Sequence, residues 1–176
     1  IKSLKSESRA SKMLNNKTHT PVTKENILSL ILYTDYDSLS YHFSTTFRTT
    51  VHKRQEFWHW SKTLIETVNL FGTDINDTKI SVFYHGVSFM HFNSFRAKFN
   101  SPTSTTTKLQ IAHIFASNDG IILELGKSKH DTTKGVKYFN CSYTSCYPAE
   151  EERLFIQPFG SAHDDSSVLN ILSIRN

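Results

Sequence analysis

The chain has 176 residues, of which 38% are hydrophobic and 12% aromatic, with only six glycines and four prolines. That size implies one domain with one packed core and excludes a disordered or fibrous chain. Twenty Lys and Arg against sixteen Asp and Glu give a net charge of +4. No apolar run reaches the roughly 18 residues needed to cross a bilayer, and no charged, apolar and small-residue signal peptide opens the chain. A start at Ile1 suggests an excised domain.

Residues 1–24 read as a polar, basic and flexible N-terminal segment, with Lys2, Lys5, Arg9, Lys12, Lys17 and Lys24 against a lone Glu7. Residues 25–176 read as a single domain. Ile27, Leu28, Leu30, Ile31 and Leu32 suggest a buried helix beginning near Pro21–Lys24. Leu39, Phe43 and Phe47 recur every four residues and predict a second helix ending at Arg48. Phe57, Trp60, Leu64, Val68 and Phe71 keep the same period, and Gly72 supplies a stop. This aromatic stripe reads as core.

The second half changes character. Ile80 to Tyr84 is β-branched and aromatic and predicts a strand running into His85-Gly86. Residues 101–107, Ser-Pro-Thr-Ser-Thr-Thr-Thr, read as a hydroxyl-rich loop, and Leu109 to Phe115 as a short helix or buried segment. Asn118-Asp119-Gly120 is a turn before a strand over Ile121 to Leu125. A polar loop over 127–135 follows, then strands over 136–141 and 153–156, and a tail over 168–174 able to close a sheet. Helices first and strands later make an α+β chain.

Several chemistries find no footing. There is no Gly-rich phosphate loop, so a Rossmann-type nucleotide site is excluded. His52 and His59 lie two helical turns apart, too far to chelate one ion, and no metal site is expected. Cys141 and Cys146 match neither zinc nor redox spacing; they read as reduced thiols on opposite faces of one strand, which favours the cytoplasm. Three Asn-x-Ser/Thr sequons are what chance gives in a chain so rich in Ser, Thr and Asn. Nucleic-acid binding has only the net charge and the N-terminal lysines behind it and is not expected. Nothing in the sequence specifies an oligomeric state.

Three short motifs hold most of the remaining chemistry, and each is ambiguous alone. Glu150-Glu151-Glu152 is either a solvated acidic turn or, at the start of a strand, a pair of carboxylates (Glu150 and Glu152) on one face. Such a pair repels itself unless positive charge lies between, which fits either an oxocarbenium ion or a guanidinium. The Ser/Thr run either caps its own backbone or orients a carboxylate. His85 is either a satisfied surface residue or a ligand contact, and Gly86 beside it would let a planar ring approach the backbone.

In order along the chain, a strand ending Tyr84-His85-Gly86, then Phe99…Pro102-Thr103-Ser104-Thr105-Thr106, then Ala112…Phe115, a Gly-Ile-Ile-Leu-Glu-Leu strand, and Glu150-Glu151-Glu152-Arg153-Leu154-Phe155 resembles the mono-ADP-ribosyltransferase family. The resemblance runs from about Glu25 onward. It implies helices packed on a mixed, largely antiparallel β-sandwich, with NAD as substrate and no metal. The implied reaction is transfer of ADP-ribose to a protein acceptor with an exposed arginine, with NAD hydrolysis as a side reaction, as in the family's toxins. It also implies roles. Glu152 is the catalytic carboxylate, Glu150 aligns or deprotonates the acceptor, and Ser104 orients Glu152. His85, Gly86, Thr105, Thr106 and Phe115 surround the cofactor, with the Gly86 backbone on the nicotinamide carboxamide.

One position departs from that pattern. Members with Glu-x-Glu and Ser-Thr-Ser motifs usually carry Arg where His85 stands. His-Gly is similar instead to the diphtheria-toxin and poly-ADP-ribose polymerase branch, whose accompanying Tyr is absent from the second motif here. Arg holds a phosphate bidentately and a neutral His does not, so the cofactor's phosphates are expected to be held differently. The alternative reading is a catalytically silent binding module on the same fold.

Overall fold

The computed structural model describes residues 21–34, 58–88, 98–99, 102–127, 137–145, 147–156, 159–160 and 169–175. Most of the basic N-terminal segment, the helix expected to end at Arg48, His52, residues 128–135 of the loop expected over 127–135, and Cys146 lie outside the described residues, while Lys127 belongs to a strand and not to that loop.

Helix α1 (Lys24–Thr34) starts at a reciprocal cap. Thr23 Oγ1 accepts from the Asn26 amide at 3.2 Å, while Asn26 Oδ1 accepts from the Thr23 amide at 3.0 Å, so two otherwise orphaned donors are satisfied. Asn26 Nδ2 also donates to Thr67 Oγ1 at 2.9 Å, a buried polar tie to helix α2 (Trp58–Phe71). Helix α2 closes where the Gly72 amide reaches back to Val68 O at 2.8 Å. The stripe Leu64, Val68 and Phe71 is buried, as its period predicts.

Nine strands follow among the described residues: β1 (Thr73–Asp74), β2 (Val82–Val87), β3 (Lys98–Phe99), β4 (Thr103–Thr106), β5 (Ile121–Lys127), β6 (Lys137–Asn140), β7 (Glu152–Phe155), β8 (Phe159–Gly160) and β9 (Leu169–Arg175). A third helix, α3 (Leu109–Ala116), sits between β4 and β5 in the chain. Their order is β1-β6-β7-β4-β2-β5-β9-β8-β3, antiparallel throughout except for β8 beside β9. The architecture is α+β and largely antiparallel.

Only one register pair, Tyr84 with Thr106, is seen between β2 and β4, whereas β2 and β5 share six pairs and β4 and β7 share four. The ladder is therefore nearly broken at that seam, and its halves fold toward each other as a sandwich. Phe83 from one half meets Phe155 and Tyr138 from the other, with ring centroids 5.1 and 5.7 Å apart. Because side chains alternate along a strand, the neighbouring residues Phe139 and Leu154 face outward and bury α1 and α2. On the opposite outer side, Ala112 and Ala116 of α3 pack on Ile122 and Tyr84.

Three sequence expectations need correction. The hydroxyl-rich run is not a loop. Thr103, Ser104, Thr105 and Thr106 form strand β4, because β-branched threonines suit a pleated strand and β7 supplies partners 46 to 52 residues away. The strand near residue 80 begins only at Val82 and runs through His85 and Gly86. Cys141 does not lie on a strand, since β6 ends at Asn140 and Cys141 opens a 3-10 turn.

Candidate active site

A cleft of about 160 Å³ opens along the seam. One buried water needs only about 10–15 Å³, so this space is ligand-sized. All eight residues singled out from the sequence line it: Glu152, Glu150, Ser104, His85, Gly86, Thr105, Thr106 and Phe115. Tyr33, Thr34, Tyr84, Ile111 and Ala112 complete the wall.

The acidic triplet splits by backbone geometry. Glu150 ends a short 3-10 turn, Pro148–Glu150; Glu151 has left-handed φ and ψ of 50° and 43°; Glu152 opens β7. Glu150 and Glu152 thus reach the cleft together, through this turn and not through the two-residue period of a continuous strand. A left-handed conformation costs a side-chain-bearing residue roughly 1–2 kcal/mol, so other contacts must hold it. Glu151 points away, its carboxylate accepting from Thr107 Oγ1 at 2.7 Å and pairing with Lys108 Nζ at 2.9 Å. Those contacts hold its carboxyl below the ordinary value, the Thr107 hydrogen bond first and Lys108 second.

Ser104 lies opposite Leu154 in the β4–β7 ladder, and Thr106 lies opposite Glu152. Directly opposed residues share a face, so Ser104 and Glu152 are diagonal neighbours. The Ser104 hydroxyl donates to Glu152 Oε1, and Tyr33 Oη stands 3.5 Å from Ser104 Oγ. Burial, with Glu150 adding repulsion, pushes the Glu152 carboxyl from 4.5 to about 7; the Ser104 hydrogen bond works the other way. Burial outweighs the hydrogen bond because a carboxylate taken out of water loses more than one hydroxyl restores.

Two further hydroxyls brace the backbone. Thr105 Oγ1 donates to Arg153 O at 2.9 Å and Thr106 Oγ1 to Glu150 O at 2.7 Å. His85 Nδ1 lies 2.7 Å from Ser104 O. A carbonyl only accepts, so Nδ1 carries the proton. The imidazole thereby ties β2 to β4 where the ladder gives a single pair.

Gly86 has a structural reason that the sequence did not suggest. A Cβ there would lie 2.1 Å from Ala112 O and 2.8 Å from the Ala116 amide nitrogen. The missing side chain lets α3 lie directly on β2. Ala112 and Ala116 are small for the same reason, and this contact brings Ile111 and Phe115 to the rim of the cleft.

Tyr33, Thr34 and Tyr84 were not singled out as site residues from the sequence. Each sits inside an apolar helix or strand pattern, and only the fold brings α1 and β2 to one cleft. Among the described residues no group of three His, Cys, Asp or Glu side chains is placed to hold a metal ion, and no helix is long and apolar enough to cross a membrane.

No family model and no curated protein matches the sequence. Solved structures do match the fold. The eucaryotic mono-ADP-ribosyltransferase ART2.2 superposes with a TM-score of 0.59 over 98% of this chain and 77% of its own, at 15% identity. The ADP-ribosyltransferase HopU1 of Pseudomonas syringae pv. Tomato DC3000 gives 0.58 over 82% of this chain and 75% of its own, also at 15% identity. Exoenzyme S from Pseudomonas aeruginosa, solved with human 14-3-3 protein beta and bound to Carba-NAD, gives 0.55 over 94% and 82% at 14% identity. The chain has the mono-ADP-ribosyltransferase fold.

Proposed function

We propose that the cleft binds NAD and transfers its ADP-ribose to an arginine of a protein acceptor, with hydrolysis of NAD when no acceptor is present. The observation that carries this reading is the Ser104 hydroxyl on Glu152 with Glu150 beside it in one cleft. The likeness to mono-ADP-ribosyltransferases supports it, as do ART2.2 variants solved with NADH and with NAD.

The chemistry follows from charge. Breaking the bond between nicotinamide and ribose leaves positive charge on the ribose C1–O unit, and nicotinamide departs with the bonding pair. Glu152, held by Ser104, places its carboxylate against that charge. Glu150 receives the guanidinium by paired N–H···O bonds and takes the proton released when the arginine nitrogen attacks C1. Ile111 and Phe115, which α3 brings to the rim, supply an apolar surface for a ring. NAD brings a cationic nicotinamide, which favours the ionised form of a carboxyl that burial otherwise holds near neutrality.

The test is nicotinamide release and modification of an arginine acceptor, measured side by side. Glu152→Gln is expected to lower both by roughly a hundredfold or more, the scale for losing a positioned charge in a transition state. Unchanged release in that variant removes the mechanism. Glu150→Gln is expected to spare release and impair modification; equal loss of both rejects the division of roles. A second reading, a binding module without turnover, draws on His85 standing in place of Arg with its ring committed to Ser104 O. NAD binding with no nicotinamide release from the unmodified protein would select it.

A further inference from the structure

Glu151 is the member of the acidic triplet that the proposed chemistry does not use, yet it is the most elaborately held. Its carboxylate takes Thr107 Oγ1 at 2.7 Å on one oxygen and Lys108 Nζ at 2.9 Å on the other. The same ammonium donates to Ala149 O at 3.2 Å. From the other side Arg153 Nη1 donates to Glu151 O at 2.8 Å. These contacts surround a left-handed residue, one of only two non-glycine residues with positive φ among those described.

The two cleft carboxylates depend on this arrangement unequally. Glu152 is a strand residue, held by the β4–β7 ladder and by Ser104. Glu150 precedes the strand, in a three-residue 3-10 turn. Its backbone is tied by Thr106 Oγ1 on its carbonyl, and the residues on either side of it, Ala149 and Glu151, are the ones that Lys108 grips. Thr107 and Lys108 lead from β4 into α3, so the grip fixes the turn to the element carrying Ser104. We infer that Glu151, Thr107 and Lys108 form a clamp that positions Glu150, and so governs use of the acceptor rather than cleavage of NAD. This inference rests on the proposed transferase reading.

Lys108 and Glu151 are 44% and 39% exposed. An ion pair that open contributes little to global stability. Loss of the clamp is therefore read in the balance of two activities and not in unfolding.

The experiment compares the wild-type chain with Lys108→Met, Glu151→Gly and the charge-exchanged Lys108→Glu/Glu151→Lys double variant. Nicotinamide release and ADP-ribosylation of agmatine, a free guanidine, are measured in each. In Lys108→Met and Glu151→Gly, modification is expected to fall about tenfold, as for a misplaced reacting group. Release, the KM for NAD and the melting temperature are expected to hold, and the double variant to regain part of the modification. Glu151→Gly separates the clamp from the backbone, since glycine adopts the left-handed conformation freely. Full modification by that variant would mean that only the turn conformation matters and would overturn the clamp. Parallel loss of release and modification, or no change in either, overturns it too. A wild-type chain that releases no nicotinamide refutes the transferase reading itself, an outcome visible before any variant is compared.

Discussion

The two walls of the cleft are built in opposite ways. On the β4–β7 wall, hydroxyls do the holding: Ser104 on Glu152, Thr105 on Arg153 O, Thr106 on Glu150 O. On the β2–α3 wall, contact comes from missing atoms, with Gly86, Ala112 and Ala116 letting a helix lie directly on a strand. A wall of hydrogen bonds loses one contact at a time and keeps its shape. A wall of close approach fails as a unit when a single atom is added. The cleft's directional polar groups sit on the first, and the second supplies a surface.

That contrast can be broken from either side. The largest structural effect is expected from Gly86→Ala, whose Cβ meets backbone and not a flexible side-chain tip. Overpacking of this kind costs about 1–3 kcal/mol or more, so both the denaturation midpoint and NAD affinity should fall. Full stability in that variant would show that α3 is not seated as described. Ser104→Ala is the counterpart on the other wall: stability within about 1 kcal/mol of wild type, since a partly exposed hydroxyl is lost, and slower nicotinamide release. Because the Ser104 hydrogen bond lowers the Glu152 pKa, its loss should also move the acid limb of the release profile to higher pH. A profile unmoved from wild type would detach Ser104 from the carboxylate.

The pH dependence of stability gives the smallest and most specific effect. The folded Glu152 pKa, about 7, lies above its ordinary 4.5, so the folded state binds the proton more tightly than the unfolded one. Its contribution to stability is present below pH 4.5 and declines as pH rises through 7. Glu152→Gln should therefore gain on the order of 1 kcal/mol over wild type at pH 8, after discounting for a half-open cleft, and no such gain at pH 4. Chemical denaturation at the two pH values checks the sign.

How much of this was legible in the sequence differs between the same two walls. The helices were readable because Leu64, Val68 and Phe71 repeat at the period that buries one face. Glu152 and Ser104 could be proposed as partners only through a family resemblance, since nothing local joins residues 48 apart. The Ser/Thr run misled because hydroxyl residues mark turns locally, whereas pairing with β7 decides for a strand. The shared direction of Glu150 and Glu152 was anticipated, but its cause was not. A left-handed Glu151 cannot be foreseen without the contacts from Thr107 and Lys108 that hold it. Gly86 looked like a place for a ring to approach the backbone, and the helix that occupies its open side became visible only in three dimensions.

A ladder one rung wide at Tyr84 and Thr106 also sets what governs the gape of the mouth. Besides the His85 tie to Ser104 O, the two half-sheets are braced by a core in which Phe83 meets Tyr138 and Phe155, rings that do not line the opening. Shaving any of those three rings removes packing from both half-sheets at once without touching a residue that lines the cleft. The shape of the opening therefore answers to interior positions that an inspection of the rim would pass over.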